Sequence, residues 1–308
     1  MKFILLGNDL FGENLWRGFS QQGHECVLII SKPKDLMPAG HLGLHDLARK
    51  EGVNFQEIDN VNQRKVLQEL QKLEFDFTVS CWPSILGADL INMSKLGVIG
   101  THPTPLPLGR GRHPLHWLIY MGFFQFYLTF FQMNLKIDAG DIIHQEKFKL
   151  PKNPTIRDVL NELNSAGFRG ACKIGKKLDL YGSLPSLAQR KIDSPFLRAR
   201  TIHDLYIDFR SSALSICNLV NSYSEPFNFA KILLFDLELP IKHCTIIPNN
   251  LIDNFTPPGY VKEVNKSIII VKAYDELIQL TSTFDVSTYV NQGDYIYPPS
   301  FYFAKSLK

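Results

Sequence analysis

KFILLGNDLFGENLWRGFSQQGHECVLIIS, residues 2–31, sets two short apolar runs, Phe3–Leu6 and Cys26–Ile30, on either side of an amphipathic stretch from Leu10 to about Gln22. Strand-length apolar runs flanking a helical period predict strand, helix, strand, with Gly7-Asn8-Asp9 as the first turn. The alternation continues downstream. VNQRKVLQELQKLEF (61–75) carries Leu67, Leu70 and Leu73 at helical spacing, FDFTVSC (75–81) follows, and GVIGTH (97–102) closes the series. Such an order predicts an α/β fold built on an open, mostly parallel, Rossmann-like sheet with right-handed crossovers.

Two more strands, YLTFFQMN (127–134) and DIIHQEKFKL (141–150), are separated by a turn at Asp138-Ala139-Gly140. A helix then runs from a Thr155 cap, with Asp158 three residues on, to about Tyr181, and Gly182 stops it. The first domain is read as residues 1–185. A polar stretch bearing Pro and Arg makes 186–202 a linker, and 203–308 is a second domain. That domain holds a helix with Leu214, Ile216, Leu219 and Val220, then short alternating strands over 260–284, a small β-rich, OB-like pattern.

The 308 residues are 45% hydrophobic and 20% charged, which excludes a disordered or collagen-like chain. Net charge is +3, so no global field points to nucleic acid or a membrane. Residues 201–308 hold 8 basic and 11 acidic residues, a net of −3, against +6 for residues 1–200. The five cysteines form no CxxC or Cys/His cluster, so the sequence writes neither a disulfide framework nor a metal site, and a reducing compartment is expected. The apolar run at the start is too short for a signal-peptide core, and no window reaches transmembrane length. A cytoplasmic location is expected.

Gly7-x4-Gly12 has the look of a phosphate loop but lacks Lys-Ser/Thr after it, so a plain glycine turn explains it as well. GVIGTHPTPLPLGRGRHPLHW (97–117) is more informative. It sets His102 at the carboxyl end of a strand, where open α/β sheets bind ligands, and follows it with a proline-stiffened loop carrying Arg110 and Arg112. Taken alone, His102 is equally well read as a filler, and Arg110 as a brace on its own loop's carbonyls.

The combination decides more than its parts. Thr101-His102-Pro103-Thr104-Pro105-Leu106-Pro107, then Arg110-Gly111, then Ile137-Asp138-Ala139-Gly140-Asp141-Ile142, with Asp138 thirty-six residues after His102, resembles the formyltetrahydrofolate-dependent formyltransferases. Members of that family formylate initiator tRNA, glycinamide ribonucleotide or amino sugars on nucleotide carriers. The resemblance extends to residues 203–308, which are similar to the extra C-terminal domain of the tRNA enzyme. It implies catalysis by His102 and Asp138, with 10-formyltetrahydrofolate as donor and no metal. It also implies a folate pocket lined by Ser84, Ile85 and Leu86 on one side and Asn134, Leu135, Lys136, Ile137 and Asp138 on the other, with Arg112 placed to meet the cofactor or a substrate phosphate. Without the resemblance, Trp82, Ile85 and Leu86 read equally well as core.

One position departs from the family pattern. Gly100 stands where the family usually has an asparagine that donates to the formyl oxygen, and loss of such a donor costs about a hundredfold to a thousandfold in rate. Thr101, Thr104 and His113 are the nearby replacements. The second arginine of the loop and the acidic C-terminal region favour a small-molecule amine as acceptor, above all a nucleotide-linked amino deoxy sugar. Initiator tRNA and a catalytically weak folate-binding relative are the alternatives. On the first reading the C-terminal domain is an accessory or homodimer-forming module.

Overall fold

Strand β1 (Lys2–Leu6) has a parallel partner on each side, β2 (Glu25–Ser31) and β4 (Phe77–Ser80), and Phe3 to Leu6 are fully buried. Cover on both faces is why the run is unbroken rather than alternating. Beyond β2 lies β3 (Asn54–Glu57), and beyond β4 lies β5 (Val98–His102), all parallel. Helices α1 (Leu10–Ser20), α2 (His45–Glu51), α3 (Arg64–Leu70) and α4 (Ala88–Ile91) make the connections. The chain then reverses. After α5 (Pro114–Tyr120), strand β6 (Gln125–Gln132) adds antiparallel to β5 and β7 (Ile142–Lys149) antiparallel to β6, giving the order β3-β2-β1-β4-β5-β6-β7.

The computed structural model describes residues 1–36, 43–235 and 237–305, the last three without side chains. The chain forms two compact units. One comprises Met1–Pro114, Gln125–Lys149 and Leu160–Arg198; the other comprises Leu115–Phe124, Leu150–Val159 and Ala199–Lys308.

Helix α6 (Ile156–Tyr181) begins and ends where the sequence places it. The Thr155 amide donates to Asp158 Oδ2 at 2.9 Å and the Asp158 amide to Thr155 Oγ1 at 3.2 Å, a reciprocal cap. Gly182 ends the helix in the left-handed conformation, its amide donating to the Leu178 carbonyl at 2.9 Å. At the start of α1, Asp9 Oδ1 accepts from the amides of Phe11 and Gly12 at 3.1 and 3.3 Å. The first helix's N-terminus therefore meets a carboxylate of its own chain, which fits a glycine turn better than a phosphate loop.

Where α6 crosses β7, the buried Glu146 accepts from Lys173 Nζ at 2.7 Å and lies 2.5 Å from His144 Nε2, with Arg169 Nε 3.7 Å from its second oxygen. Burial pushes its carboxyl up, but Lys173 and His144 together outweigh that and hold it below the usual carboxylate range. A depressed carboxyl stabilises the fold fully above its unfolded pKa of about 4.3, and the contribution is lost as pH falls through the lower folded value. Glu146→Gln is therefore expected to cost about 2 kcal/mol at neutral pH and progressively less below about pH 4. Thermal melts of both proteins from neutral pH down to about pH 3 check this; a gap that stays constant across the range rejects it.

In the second unit α7 (Ala213–Ser222) packs on a five-stranded antiparallel sheet of order β10-β11-β12-β9-β8. The strands are β8 (Ala230–Leu234), β9 (Leu237–Ile247), β10 (Val261–Asn265), β11 (Ile268–Lys272) and β12 (Leu277–Ser282), and α8 (Pro299–Lys305) follows. The β8–β9 hairpin adds two strands ahead of those read from the sequence. Ile216 and Val220 pack with Ile232, Leu239, Ile269 and Leu280 in one core. Leu214 faces outward. The cysteine reading needs correction here. Packing of α7 on β9 brings the Cα atoms of Cys217 and Cys244 within 5.1 Å, and the two form a disulfide, while Cys26, Cys81 and Cys172 are free. Arg200 anchors the same unit, its guanidinium lying 4.7 Å from the Trp117 ring, 5.1 Å from Tyr120 and 4.6 Å from Tyr223. Among the described residues no helix is long and apolar enough to cross a membrane.

Candidate active site

His102 ends β5, and Asp138 sits in the loop that links β6 to β7. The loop folds back because the Met133 amide donates to the Val98 carbonyl and the Gln132 amide to the Asp141 carbonyl, each at 2.8 Å. Gly140 makes that return possible. A Cβ built on it would stand 1.6 Å from the Gln132 carbonyl oxygen. The outcome is an imidazole only 6% exposed, with Nδ1 3.7 Å from Asp138 Oδ1.

The hydrogen bonds around the pair assign its protons. His102 Nε2 lies 2.9 Å from the Gly109 carbonyl oxygen, which can only accept, so Nε2 carries hydrogen and donates. The lone pair of the neutral ring is therefore on Nδ1, facing a carboxylate. Asp138 Oδ2 meanwhile accepts from the Gly111 amide at 3.0 Å. Nδ1 and the carboxylate thus face each other across 3.7 Å at the carboxyl end of the strand, and a proton bound at Nδ1 would lie between them.

Arg110 braces the loop, through a side chain rather than through loop carbonyls: its Nη2 donates to Gln189 Oε1 at 2.6 Å. Arg112 is exposed and, among the described residues, its side chain enters no ion pair. Its main chain is tied down, since the Arg112 amide donates to the Leu197 carbonyl at 2.9 Å and the Leu197 amide to the Arg110 carbonyl at 2.7 Å. The segment around Gln189 and Leu197 lies within the stretch read as linker. No periodicity marks it, and its partners are mostly main-chain groups, which a side-chain pattern does not reveal.

The remaining sequence-derived residues divide into two groups. Ser84, Asn134 and Lys136 are exposed, and Ile85, Leu135 and Ile137 hold aliphatic side chains 71%, 70% and 53% exposed on the loops after β4 and β6. Large apolar groups held out on ordered loops are what a flat heteroaromatic ligand would cover. The loop after β4 is shaped by Asn62, a residue in no motif: its Nδ2 donates to the Ile85 carbonyl at 2.9 Å and its Oδ1 accepts from the Gly87 amide at 2.7 Å. Leu86 belongs to the second group. It is 2% exposed and, with Trp82, sits in a core with Leu6, Ile30 and Leu90, so it supports the loop from below and does not line a pocket. Among the described residues no three metal-ligating side chains converge.

The three replacements weighed for the donor missing at Gly100 are also sorted by geometry. The Thr104 hydroxyl is buried and donates to the Leu108 carbonyl at 2.8 Å, so it is already engaged. Thr101 alternates with His102 along β5 and points to the opposite face. His113 is exposed, with a left-handed backbone. At Gly100 itself a Cβ would come within 2.6 Å of Met133 Cγ and 3.0 Å of its Sδ. Met133 and the Phe131 ring, whose Cζ would lie 3.0 Å from that Cβ, thus fill the space an asparagine would need. Gly100→Asn alone is expected to cost about 1–3 kcal/mol of stability by overpacking and to lower turnover, and adding Met133→Ala is expected to recover part of both. Melting temperatures and rates of the single and double variants test this; an active, fully stable single variant contradicts it.

A family model described as "Formyl transferase" matches residues 1–172, more than half of the chain, and the chain belongs to that family. The bifunctional polymyxin resistance protein ArnA of Wigglesworthia glossinidia brevipalpis is 28% identical over 222 residues, covering 69% of this chain and 32% of ArnA's own length. A methionyl-tRNA formyltransferase of Mycoplasma mycoides subsp. mycoides is 23% identical over 287 residues, covering 90% of this chain and 88% of that enzyme. Among solved structures, WlaRD, described as a sugar 3N-formyl transferase in the presence of dTDP and 5-N-formyl-THF, aligns with a TM-score of 0.69 at 16% identity. That alignment covers 92% of this chain and 98% of WlaRD. At such identity the likeness is one of fold.

Proposed function

We propose that the chain moves the formyl group of 10-formyltetrahydrofolate to the amine of a small acceptor, a nucleotide-linked amino deoxy sugar, with His102 and Asp138 as the catalytic pair. The observation that carries this is the acceptor-to-acceptor gap of 3.7 Å between His102 Nδ1 and Asp138 Oδ1 at the carboxyl end of β5. A neutral amine attacks the formyl carbon, an N–C bond forms, and the carbonyl oxygen gains negative charge. The attacking nitrogen gives up a proton to His102 Nδ1, where Asp138 stabilises the imidazolium. The bond from the formyl carbon to the folate nitrogen then breaks, the proton passes to that departing nitrogen, and the products are a formamide and tetrahydrofolate. Ser84, Ile85 and the 134–138 loop are assigned to the folate, and Arg112 to an anionic group such as a diphosphate. Residues 1–185 are proposed as the catalytic domain and 203–308 as an accessory one, working in the cytoplasm.

Two features support the sugar acceptor: the second arginine in the 109–113 loop, and the net −3 of residues 201–308, the wrong sign for a domain that must neutralise tRNA phosphates. The reading in favour of initiator tRNA rests on the match to the Mycoplasma enzyme along 88% of its length. A spectroscopic assay of tetrahydrofolate release, run against nucleotide-linked amino sugars and charged initiator tRNA, separates the two. Turnover on a sugar supports the proposal; turnover on tRNA alone replaces its acceptor half; none on any amine refutes the transferase reading.

A further inference from the structure

Gln189 lies outside every sequence motif, yet its side chain is spent entirely on the loops that hold the catalytic pair. Its Nε2 donates to the Asp138 carbonyl at 2.9 Å and to the Gly140 carbonyl at 2.7 Å, and its Oε1 accepts from Arg110 Nη2 at 2.6 Å. Turned over, the amide would set oxygen against two carbonyl oxygens and an NH2 group against a guanidinium, so a single orientation satisfies the site. The same segment is fastened on either side of Gln189. Leu187 and Ile142 exchange amide-to-carbonyl bonds of 2.8 Å each, and Leu197 exchanges bonds of 2.7 and 2.9 Å with Arg110 and Arg112.

The turn it grips needs holding. Asp138 has φ +49°, a left-handed backbone that a non-glycine residue keeps only where its surroundings enforce it. Two of the carbonyls that define the turn, those of Asp138 and Gly140, bond to one nitrogen of Gln189. The carboxylate's reach toward His102 Nδ1 follows from that backbone, and the attraction of Asp138 for the imidazolium falls with distance. We infer that Gln189 is a positioning residue for formyl transfer, its amide linking Arg110 to the Asp138 turn and so setting the separation of the catalytic pair. This rests on the reading of His102 and Asp138 given above.

Gln189→Met, which keeps the length and removes all three hydrogen bonds, and Gln189→Ala are the variants to make. On the full chain without substrate, the NMR resonances of the His102 ring, assigned by their loss in His102→Ala, are expected to be displaced from their wild-type positions in both. With 10-formyltetrahydrofolate and an acceptor that the wild type formylates, kcat is expected to fall about tenfold or more while KM for the folate stays within about twofold. The pH–rate profile is expected to change with it. Unmoved resonances, or moved ones with kcat unchanged, overturn the inference. So does a loss of kcat that only tracks a loss of melting temperature. The NMR arm needs no turnover, so a wild-type protein that transfers no formyl group removes the functional reading while the hold of Gln189 on the pair is still decided.

Discussion

Asp138→Asn is expected to lower formyl transfer by roughly a thousandfold and to leave the melting temperature within a few degrees of wild type. The amide keeps the shape of the carboxylate, and its oxygen can still accept from the Gly111 amide that Asp138 engages at 3.0 Å. What disappears is the negative charge opposite His102 Nδ1, and with it the stabilisation of the imidazolium formed when the amine loses its proton. His102→Ala should cost at least as much. It also cuts the tie to the Gly109 carbonyl, however, so the aspartate variant is the cleaner measurement. Single-turnover rates with saturating 10-formyltetrahydrofolate provide the check. Rates within about fivefold of wild type in both variants would mean that proton transfer lies elsewhere.

Gly140→Ala is the second large effect. Its Cβ would lie 1.6 Å from the Gln132 carbonyl oxygen, a backbone atom within a β-sheet that cannot rotate out of the way as a side chain can. Either the turn or the end of β6 must move by more than an ångström, and the 2.8 Å bond from the Gln132 amide to the Asp141 carbonyl or the bond from Gln189 to the Gly140 carbonyl is lost. Overpacking against backbone of this kind costs about 3 kcal/mol or more. Because the same turn carries Asp138, activity should fall even in protein that remains folded, by about tenfold or more. Urea denaturation followed by rate measurement well below the midpoint separates the two losses, and a variant as stable and as fast as wild type would contradict the turn's geometry.

Much of the first sheet was legible in the sequence because strands buried on both faces leave continuous apolar runs, as Phe3–Leu6 does, and because cap residues such as Thr155, Asp158 and Gly182 act locally. His102 and Asp138 were legible for a different reason: the proline-stiffened loop and the Asp-x-Gly turn leave a distinctive spelling. Gln189 leaves none, since it acts on main-chain carbonyls that every residue possesses. Leu86 was ambiguous because an aliphatic residue beside a site is spelled the same whether it faces a ligand or the core, and only its burial decides. The pairing of Cys217 with Cys244 depends on how α7 crosses β9, a tertiary fact with no counterpart in spacing.

The interleaving of the two units in the chain bears on how such a protein can be cut or recombined. The polypeptide passes from one unit to the other after residues 114, 124, 149, 159 and 198. A gene fragment ending at residue 185 would encode Trp117 and Tyr120 but not Arg200 or Tyr223, stranding two of the three rings without the cation they surround. Exchange of the C-terminal portion with a relative by a single crossover meets the same obstacle, because residues 115–124 and 150–159 would stay behind. A chimera that respects the boundaries of the two units has to import three separate stretches of sequence together.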